Sequence, residues 1–268
     1  MSEPEPIVTT GPAPARPALA IVATPEDVSA AAAALIVDRL AAAVAARGVA
    51  HWCTTGGSSA PGIYRALRAA PLRDRLDWSR VQTWWGDDRF VPAGDPLSNV
   101  TPFDAVLRDR EAGLAIPDAC VHPIRVGAVL AGGGGPSDAA VAYEAEVRAA
   151  GPATGPDGLP VFDLVVLGVG PDGHVLSVFP GSAVFASPAW VEAVPAPTHV
   201  EPHVPRVTLH PRLVAAARSV LVVTSGAAKA DVLARAWAGG DPRELPVRTT
   251  LAGNATWLLD EAAAARLR

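Results

Sequence analysis

The sequence predicts an α/β fold, with a mostly parallel central sheet flanked by helices. Three observations carry this reading. Short apolar runs bounded by turn residues, of which Leu164-Val165-Val166-Leu167 is the cleanest, suit strands buried on both faces. These runs alternate with helix-length segments, the rhythm of a parallel sheet built from strand–helix–strand units. Hydrophobic residues make up 50% of the chain and aromatic residues only 5%, which favours close-packed alanine-rich helices over an aromatic-rich β fold.

Taken in order, Met1 to Pro17 carries acids and prolines with no continuous apolar core, and reads as a disordered Pro-rich leader rather than a signal peptide. Ala18 to Ala23 is a first strand. Thr24-Pro25-Glu26-Asp27 starts a helix, because Thr caps, Pro suits the first helical position and acids favour the positive end. Gly48 stops that helix after Arg47. Val49 to Thr54 is a second strand, and Gly56 to Ser59 turns into a helix through Ala69. Val81 to Trp85 is a third strand, ending at Gly86-Asp87-Asp88-Arg89, with a helix over Asn99 to Arg108 beyond it. Gly132 to Pro136 is a flexible linker into a helix through Ala149. After a loop from Gly151 to Pro160 comes the Leu164–Leu167 strand. Ser219 to Thr224 and Thr256 to Leu259 are further strands, with a helix over Gly226 to Trp237 between them and an alanine-rich tail helix at the end. The linkers do not divide the pattern, so residues 18–268 form a single domain.

Composition narrows the function. A formal net charge of -5 argues against a nucleic-acid binder, while leaving room for a small anionic substrate held by a few local cations. Cys53 and Cys120 are the only cysteines and form no CxxC pair, and no HExxH spacing occurs, so neither a disulfide framework nor a metal site is expected. The alanine-rich run after Ser29 is broken by Asp38, Arg39 and Arg47 and is not read as a membrane span. A cytoplasmic protein with no nucleic-acid or membrane partner is the resulting expectation. Oligomeric state stays open, with a monomer sufficient.

Four constellations carry chemistry. Thr55-Gly56-Gly57-Ser58-Ser59 joins a strand to a helix; it reads either as an anion cradle of backbone amides or as a plain turn with a Ser cap. Gly86-Asp87-Asp88-Arg89, followed by Ser98-Asn99, offers a forked phosphate contact through Arg89, with one of the two acids facing the cleft. Its plainer reading is a solvated turn with an ion pair. Gly168-Val169-Gly170-Pro171-Asp172-Gly173-His174 places an acid and an imidazole beyond the carboxyl end of a strand, where ligands bind in open α/β sheets. There His174 serves as a general base oriented by Asp172, or as a structural histidine at a helix start. Thr224-Ser225-Gly226-Ala227-Ala228-Lys229 carries the only lysine of the chain, which either reaches a phosphate or lies on the surface. His51 is read as a core residue; His122, His199, His203 and His210 are placed in proline-flanked loops. Ser177 is not in a GxSxG elbow, which weakens a serine-hydrolase reading.

In this order the motifs resemble the 6-phosphogluconolactonase family: TGGSS from Thr55, GDDRFVP from Gly86 with Ser98-Asn99, GVGPDGHVLSVFPG from Gly168, PRVTL from Pro205, VVTSGAAKADVL from Val222, and the closing LPVRTTL and WLLDEAAA. The resemblance spans about residues 18–265. It implies a Rossmann-like fold shared with glucosamine-6-phosphate deaminases. It also implies hydrolysis of 6-phospho-D-glucono-1,5-lactone to 6-phosphogluconate in the oxidative pentose phosphate pathway, without a cofactor. Position by position, it makes His174 the general base and Asp172 its carboxylate. It places Arg89 and Lys229 on the substrate phosphate, with Gly56, Gly57, Ser58, Asp87, Ser98, Asn99 and Arg206 around the substrate. Asp88 stands where the family often has Glu, and Val175-Leu176 where Thr and Ala or Cys are usual. The alternatives are an amino-sugar-phosphate deaminase on the same fold, disfavoured by the Val175–Pro180 run, and a non-catalytic sugar-phosphate sensor, which would need an appended DNA-binding module.

Overall fold

The computed structural model describes residues 16–109 and 111–267, so the expected leader lies outside the described residues except for Arg16 and Pro17. In chain order the elements are β1 (Ala18–Val22), α1 (Pro25–Arg47), β2 (Ala50–Thr54), α2 (Ala60–Arg68), β3 (Val81–Trp85), β4 (Asp87–Arg89), α3 (Val100–Leu107), β5 (Val121–His122), α4 (Val126–Ala131), α5 (Pro136–Ala150), β6 (Leu164–Leu167), β7 (Val191–Val194), β8 (Arg206–Leu209), α6 (Pro211–Ala216), β9 (Val220–Thr224), α7 (Ala230–Trp237), β10 (Ala255–Asp260) and α8 (Glu261–Ala264).

The local rules place the first helix well. Thr24 accepts from the Asp27 backbone N–H while the Asp27 side chain accepts from Thr24, a reciprocal cap, and Gly48 ends α1 in the left-handed region at φ 78°. Among the described residues α1 is the one helix long and apolar enough to cross a membrane by length and composition. Its Val28, Ala32, Ile36, Val37 and Leu40 are buried in the same hydrophobic cluster as the sheet, so it is a covering helix of the core.

Seven strands form one sheet in the order β1-β10-β9-β6-β2-β3-β5, and every pairing in it is parallel. The central strands are buried along their whole length, as the continuous apolar runs require. From β2 the chain adds strands toward one edge, through β3 to β5; from β6 it adds them toward the other, through β9 to β10. That reversal opens a crevice beyond the carboxyl ends of β2, β6 and β9, the place where such sheets bind ligands.

A second sheet, β4-β8-β7, is antiparallel and was not anticipated from the sequence. Its strands are three or four residues long, too short for a period to register. β4 is the segment read as a turn after Trp85. It runs Asp87↔Thr208, Asp88↔Val207 and Arg89↔Arg206 against β8. The Gly132–Pro136 segment is not a flexible linker: Gly133 and Gly134 donate to Leu130 and Val129, closing a tight turn between α4 and α5. His122, expected in a loop, is buried in β5, stacked on Trp84 at 4.0 Å between centroids and bonded to Glu146 and Gln82. His51 accepts from the Trp84 indole at 3.2 Å, and burial lowers its pKa to about 4.

Candidate functional site

A cavity of about 280 Å³ lies beyond the ends of β2, β6 and β9, bounded on its open side by the small sheet. It gathers Gly56, Gly57, Ser58, Asp87, Arg89, Asn99, His174, Arg206 and Lys229, nine of the residues singled out in the sequence. Ser98 and Asp172 do not line it. Asp172 sits behind the lining and bonds His174, while Ser98 bonds the buried Asp88.

The β6 strand delivers the histidine. Beyond Leu167 the chain turns through Gly170 and Gly173, where Gly170 N–H donates to His174 O at 2.9 Å and Gly173 N–H to Gly170 O at 3.1 Å. Both glycines are obligatory. A Cβ on Gly170 would lie 2.0 Å from His174 Nδ1, and Gly173 has φ 86°, a conformation that side chains rarely adopt. Held this way, His174 Nδ1 lies 2.6 Å from Asp172 Oδ1, which also accepts from the His174 backbone N–H at 3.2 Å. An ionised carboxylate only accepts, so Nδ1 carries the proton and Nε2 keeps its lone pair. Nε2 makes no hydrogen bond among the described residues, and the ring borders the cavity. Such a nitrogen can take a proton from a water.

Asp172 is doubly engaged. His199 Nε2 donates to its second oxygen at 2.9 Å, from a loop 27 residues further along the chain. Burial disfavours the charge of Asp172, but both imidazoles and the backbone N–H outweigh it and hold the carboxyl well below the usual carboxylate range. In the sequence His199 is one of four proline-flanked histidines with nothing to single it out. No sequence spacing could have found it, because its contact depends on how the β7–β8 loop folds back.

Strand period explains the adjacent acids of β4. Alternate residues face opposite sides, so Asp87 and Arg89 border the cavity while Asp88 points away and is fully buried. The solvated-turn reading fails here. Asp88 accepts from the backbone N–H groups of Arg89 at 2.8 Å and Asn99 at 2.7 Å, and from Ser98 Oγ at 2.8 Å. Burial pushes its carboxyl up to about 6, against the pull of these donors. Ser98, expected among the phosphate contacts, spends its hydroxyl on Asp88 instead. Asn99 does face the cavity, with Nδ2 2.9 Å from Asp87 O. Asp87 accepts from Ser177 Oγ at 2.6 Å, a contact that ties the chain after His174 to the small sheet and that the sequence reading missed. Just before it, Leu176 sits at φ 56°, an uncommon conformation for a non-glycine residue, and borders the cavity.

The cationic side of the cavity follows from β4–β8 pairing. Arg89 and Arg206 are cross-strand partners, so two like charges stand side by side. Each spends one terminal nitrogen on a carbonyl: Arg89 Nη1 on Leu97 at 2.7 Å, and Arg206 Nη2 on Pro202 at 3.1 Å. The buried Nε of each has no hydrogen-bond partner among the described residues. Burial lowers the Arg206 pKa; Asp87 counters this and Arg89 adds to it. Lys229, at the end of a short 3₁₀ turn entering α7, completes the set; burial lowers its pKa while Asp172 raises it. Three cations therefore face two lining carboxylates, Asp87 and Glu201. On the opposite wall Tyr64 OH donates to Thr55 O at 2.7 Å and fixes the glycine turn, while Ser59 makes no capping bond to α2, which removes the plain Ser-cap reading. Among the described residues no three His, Cys, Asp or Glu side chains converge as metal ligands.

The family model described as glucosamine-6-phosphate isomerases/6-phosphogluconolactonase matches residues 23–258. A 6-phosphogluconolactonase of Streptomyces coelicolor is 36% identical over 258 residues, covering 94% of this chain and 95% of its own. That of Mycobacterium tuberculosis is 39% identical over 242 residues, covering 89% and 93%. The solved 6-phosphogluconolactonase from Trypanosoma brucei superposes with a TM-score of 0.81 at 30% identity, covering 94% of this chain and 99% of its own. A monomeric glucosamine-6-phosphate deaminase superposes at 0.74 with 18% identity, a likeness of fold alone.

Proposed function

Because the chain belongs to the glucosamine-6-phosphate isomerase/6-phosphogluconolactonase family, we propose that it hydrolyses 6-phospho-D-glucono-1,5-lactone to 6-phosphogluconate, with His174 as general base. The observation that carries the reading is the His174–Asp172 bond of 2.6 Å, beside a cavity shared with Arg89, Arg206 and Lys229. The lactone brings a phosphate of charge about −1.5 to −2 and an electrophilic carbonyl. Paired arginines with unspent donors suit the first, and an imidazole with a free lone pair suits the second.

In this reading the substrate phosphate settles among Arg89, Arg206, Lys229 and the amides of the Gly56-Gly57-Ser58 turn, with Asp87 and Asn99 available to sugar hydroxyls. His174 Nε2 takes a proton from a water as its oxygen bonds to the lactone carbonyl carbon. Asp172, already ionised, stabilises the imidazolium through Nδ1–H and thereby acts as a positioning residue rather than touching the substrate. The tetrahedral intermediate then collapses, the bond from carbonyl carbon to ring oxygen breaks, and the same imidazolium gives its proton to that oxygen. Base assistance of this kind contributes about 10²–10⁴-fold. The reading places the protein in the oxidative pentose phosphate pathway of the cytoplasm and asks for no cofactor.

The test is a coupled assay on freshly generated lactone, comparing the protein with a folded His174→Ala variant. Turnover well above the uncatalysed rate that collapses in the variant supports the reading. Full turnover by the variant refutes the base, and release of ammonia from glucosamine 6-phosphate refutes the substrate.

A further inference from the structure

The β7–β8 loop reaches over the cavity and touches the dyad through one side chain. His199 bonds Asp172 Oδ2 at 2.9 Å, on the oxygen that His174 does not use. Its ring also packs edge-on against Phe179 at 5.6 Å between centroids, and Phe179 in turn packs against His174 at 4.7 Å. Two imidazoles thus flank one carboxylate and one phenyl ring. The rest of the loop is braced locally: His203 Nδ1 lies 2.7 Å from Pro197 O, and Val204 N–H donates to Pro202 O at 2.9 Å. His199 itself borders a separate, mostly apolar pocket beside the site, not the catalytic cavity. It therefore has no direct access to a substrate in that cavity.

We propose that His199 is a positioning residue: by occupying Asp172 Oδ2 it fixes the plane of the carboxylate, and with it the tautomer and orientation of His174. The proposal rests on the functional reading above and extends it to a residue that no motif contains. A carboxylate held by His174 alone is free to rotate about its last bond and to take water on Oδ2. Each such departure lengthens the Nδ1 bond and turns Nε2 from its line of attack. Anchoring both oxygens removes that freedom. Because the anchor comes from the loop over the cavity, the base is in its working orientation only when that loop is seated.

The experiment compares His199→Ala and His199→Gln with the unaltered protein on freshly generated lactone, after circular dichroism shows all three folded. Gln places its amide nitrogen where His places Nε2, so it restores the donor without the ring. His199→Ala is expected to lower kcat about tenfold with KM within twofold, as side chains in one network couple by that order, and His199→Gln to recover most of the loss. A second readout needs no turnover: the proton resonance of His174 Nδ1–H, shifted downfield by its short bond to Asp172, moves upfield in His199→Ala and returns in His199→Gln. If the unaltered protein turns over no lactone, the functional reading falls while the resonance still decides the role of His199. An unchanged kcat and resonance in His199→Ala, a change in KM alone, or no recovery by His199→Gln overturns the proposal.

Discussion

Asp172 and Asp88 are two carboxylates withdrawn from the same cavity, yet their surroundings drive them in opposite directions. Asp172 receives two imidazole donors and a backbone N–H, and these hold it ionised in spite of burial. Asp88 receives two backbone N–H groups and a hydroxyl, all neutral, in a fully buried pocket, and its carboxyl rises to about 6. Donor number is the same; donor type and dryness differ. In the proposed reaction Asp172 is the group that stabilises the charge appearing on His174. Asp88 is a clamp that folds Ser98-Asn99 onto β4, so that Asn99 and Arg89 face the cavity.

The distinction breaks most visibly at Asp172. Asp172→Asn removes the acceptor that selects the His174 tautomer, and kcat is expected to fall about 10²–10⁴-fold, read in the lactone assay, with thermal stability little changed. Gly170→Ala attacks the same bond from behind. Its Cβ needs the space of His174 Nδ1, 2.0 Å away, so kcat should drop about 100-fold while circular dichroism stays unaltered. Gly56→Ala attacks the Asp88 side instead, since its Cβ would lie 1.9 Å from Asn99 Oδ1. Displacing Asn99 should raise KM about tenfold with a smaller change in kcat, a cost of about 1.4 kcal/mol in binding. A KM effect from Gly170→Ala and a kcat effect from Gly56→Ala would invert the comparison.

The remaining contrast is in stability. The folded carboxyl of Asp88 is raised above its unfolded value, so its contribution is fully present below about pH 4 and is lost as pH rises through about 6. The stability difference between the protein and Asp88→Asn should therefore shift by about 3 kcal/mol against the native aspartate over that window, measured as urea midpoints at stepped pH. A flat difference would show that the Asp88 carboxyl is not raised. His51 titrates in the same range with the opposite sign: its lowered pKa gives stability that is present above about pH 6.5 and lost as pH falls through about 4. Comparing variants rather than raw pH profiles removes that shared slope.

The parallel sheet was legible because its strands are apolar and its helix ends are signalled chemically; Thr24, Pro25 and Gly48 place α1 to the residue. The small sheet was not, since Asp87-Asp88-Arg89 and Arg206–Leu209 pair only with each other and with Val191–Val194, far apart in the chain. With that sheet unread, the division of labour between Asp87 and Asp88 could be anticipated only as a choice of one acid, and the pairing of Arg89 with Arg206 not at all. Most residues lining the candidate site were nevertheless visible, because strand-to-helix glycine turns mark the carboxyl ends of parallel strands. Ser98, Ser177 and His199 show the boundary: each is placed by a side-chain contact made across the fold rather than by spacing along it.

General-base catalysis by His174 turns on which of its nitrogens is free. Nitrogen NMR of the free protein, at a pH where the ring is neutral, with assignment by His174→Gln, reads this directly. The expected spectrum shows a protonated Nδ1 bonded to Asp172 and an unprotonated Nε2 facing the cavity. A proton on Nε2, with Nδ1 bare, would leave no base beside the substrate and rule His174 out as the base.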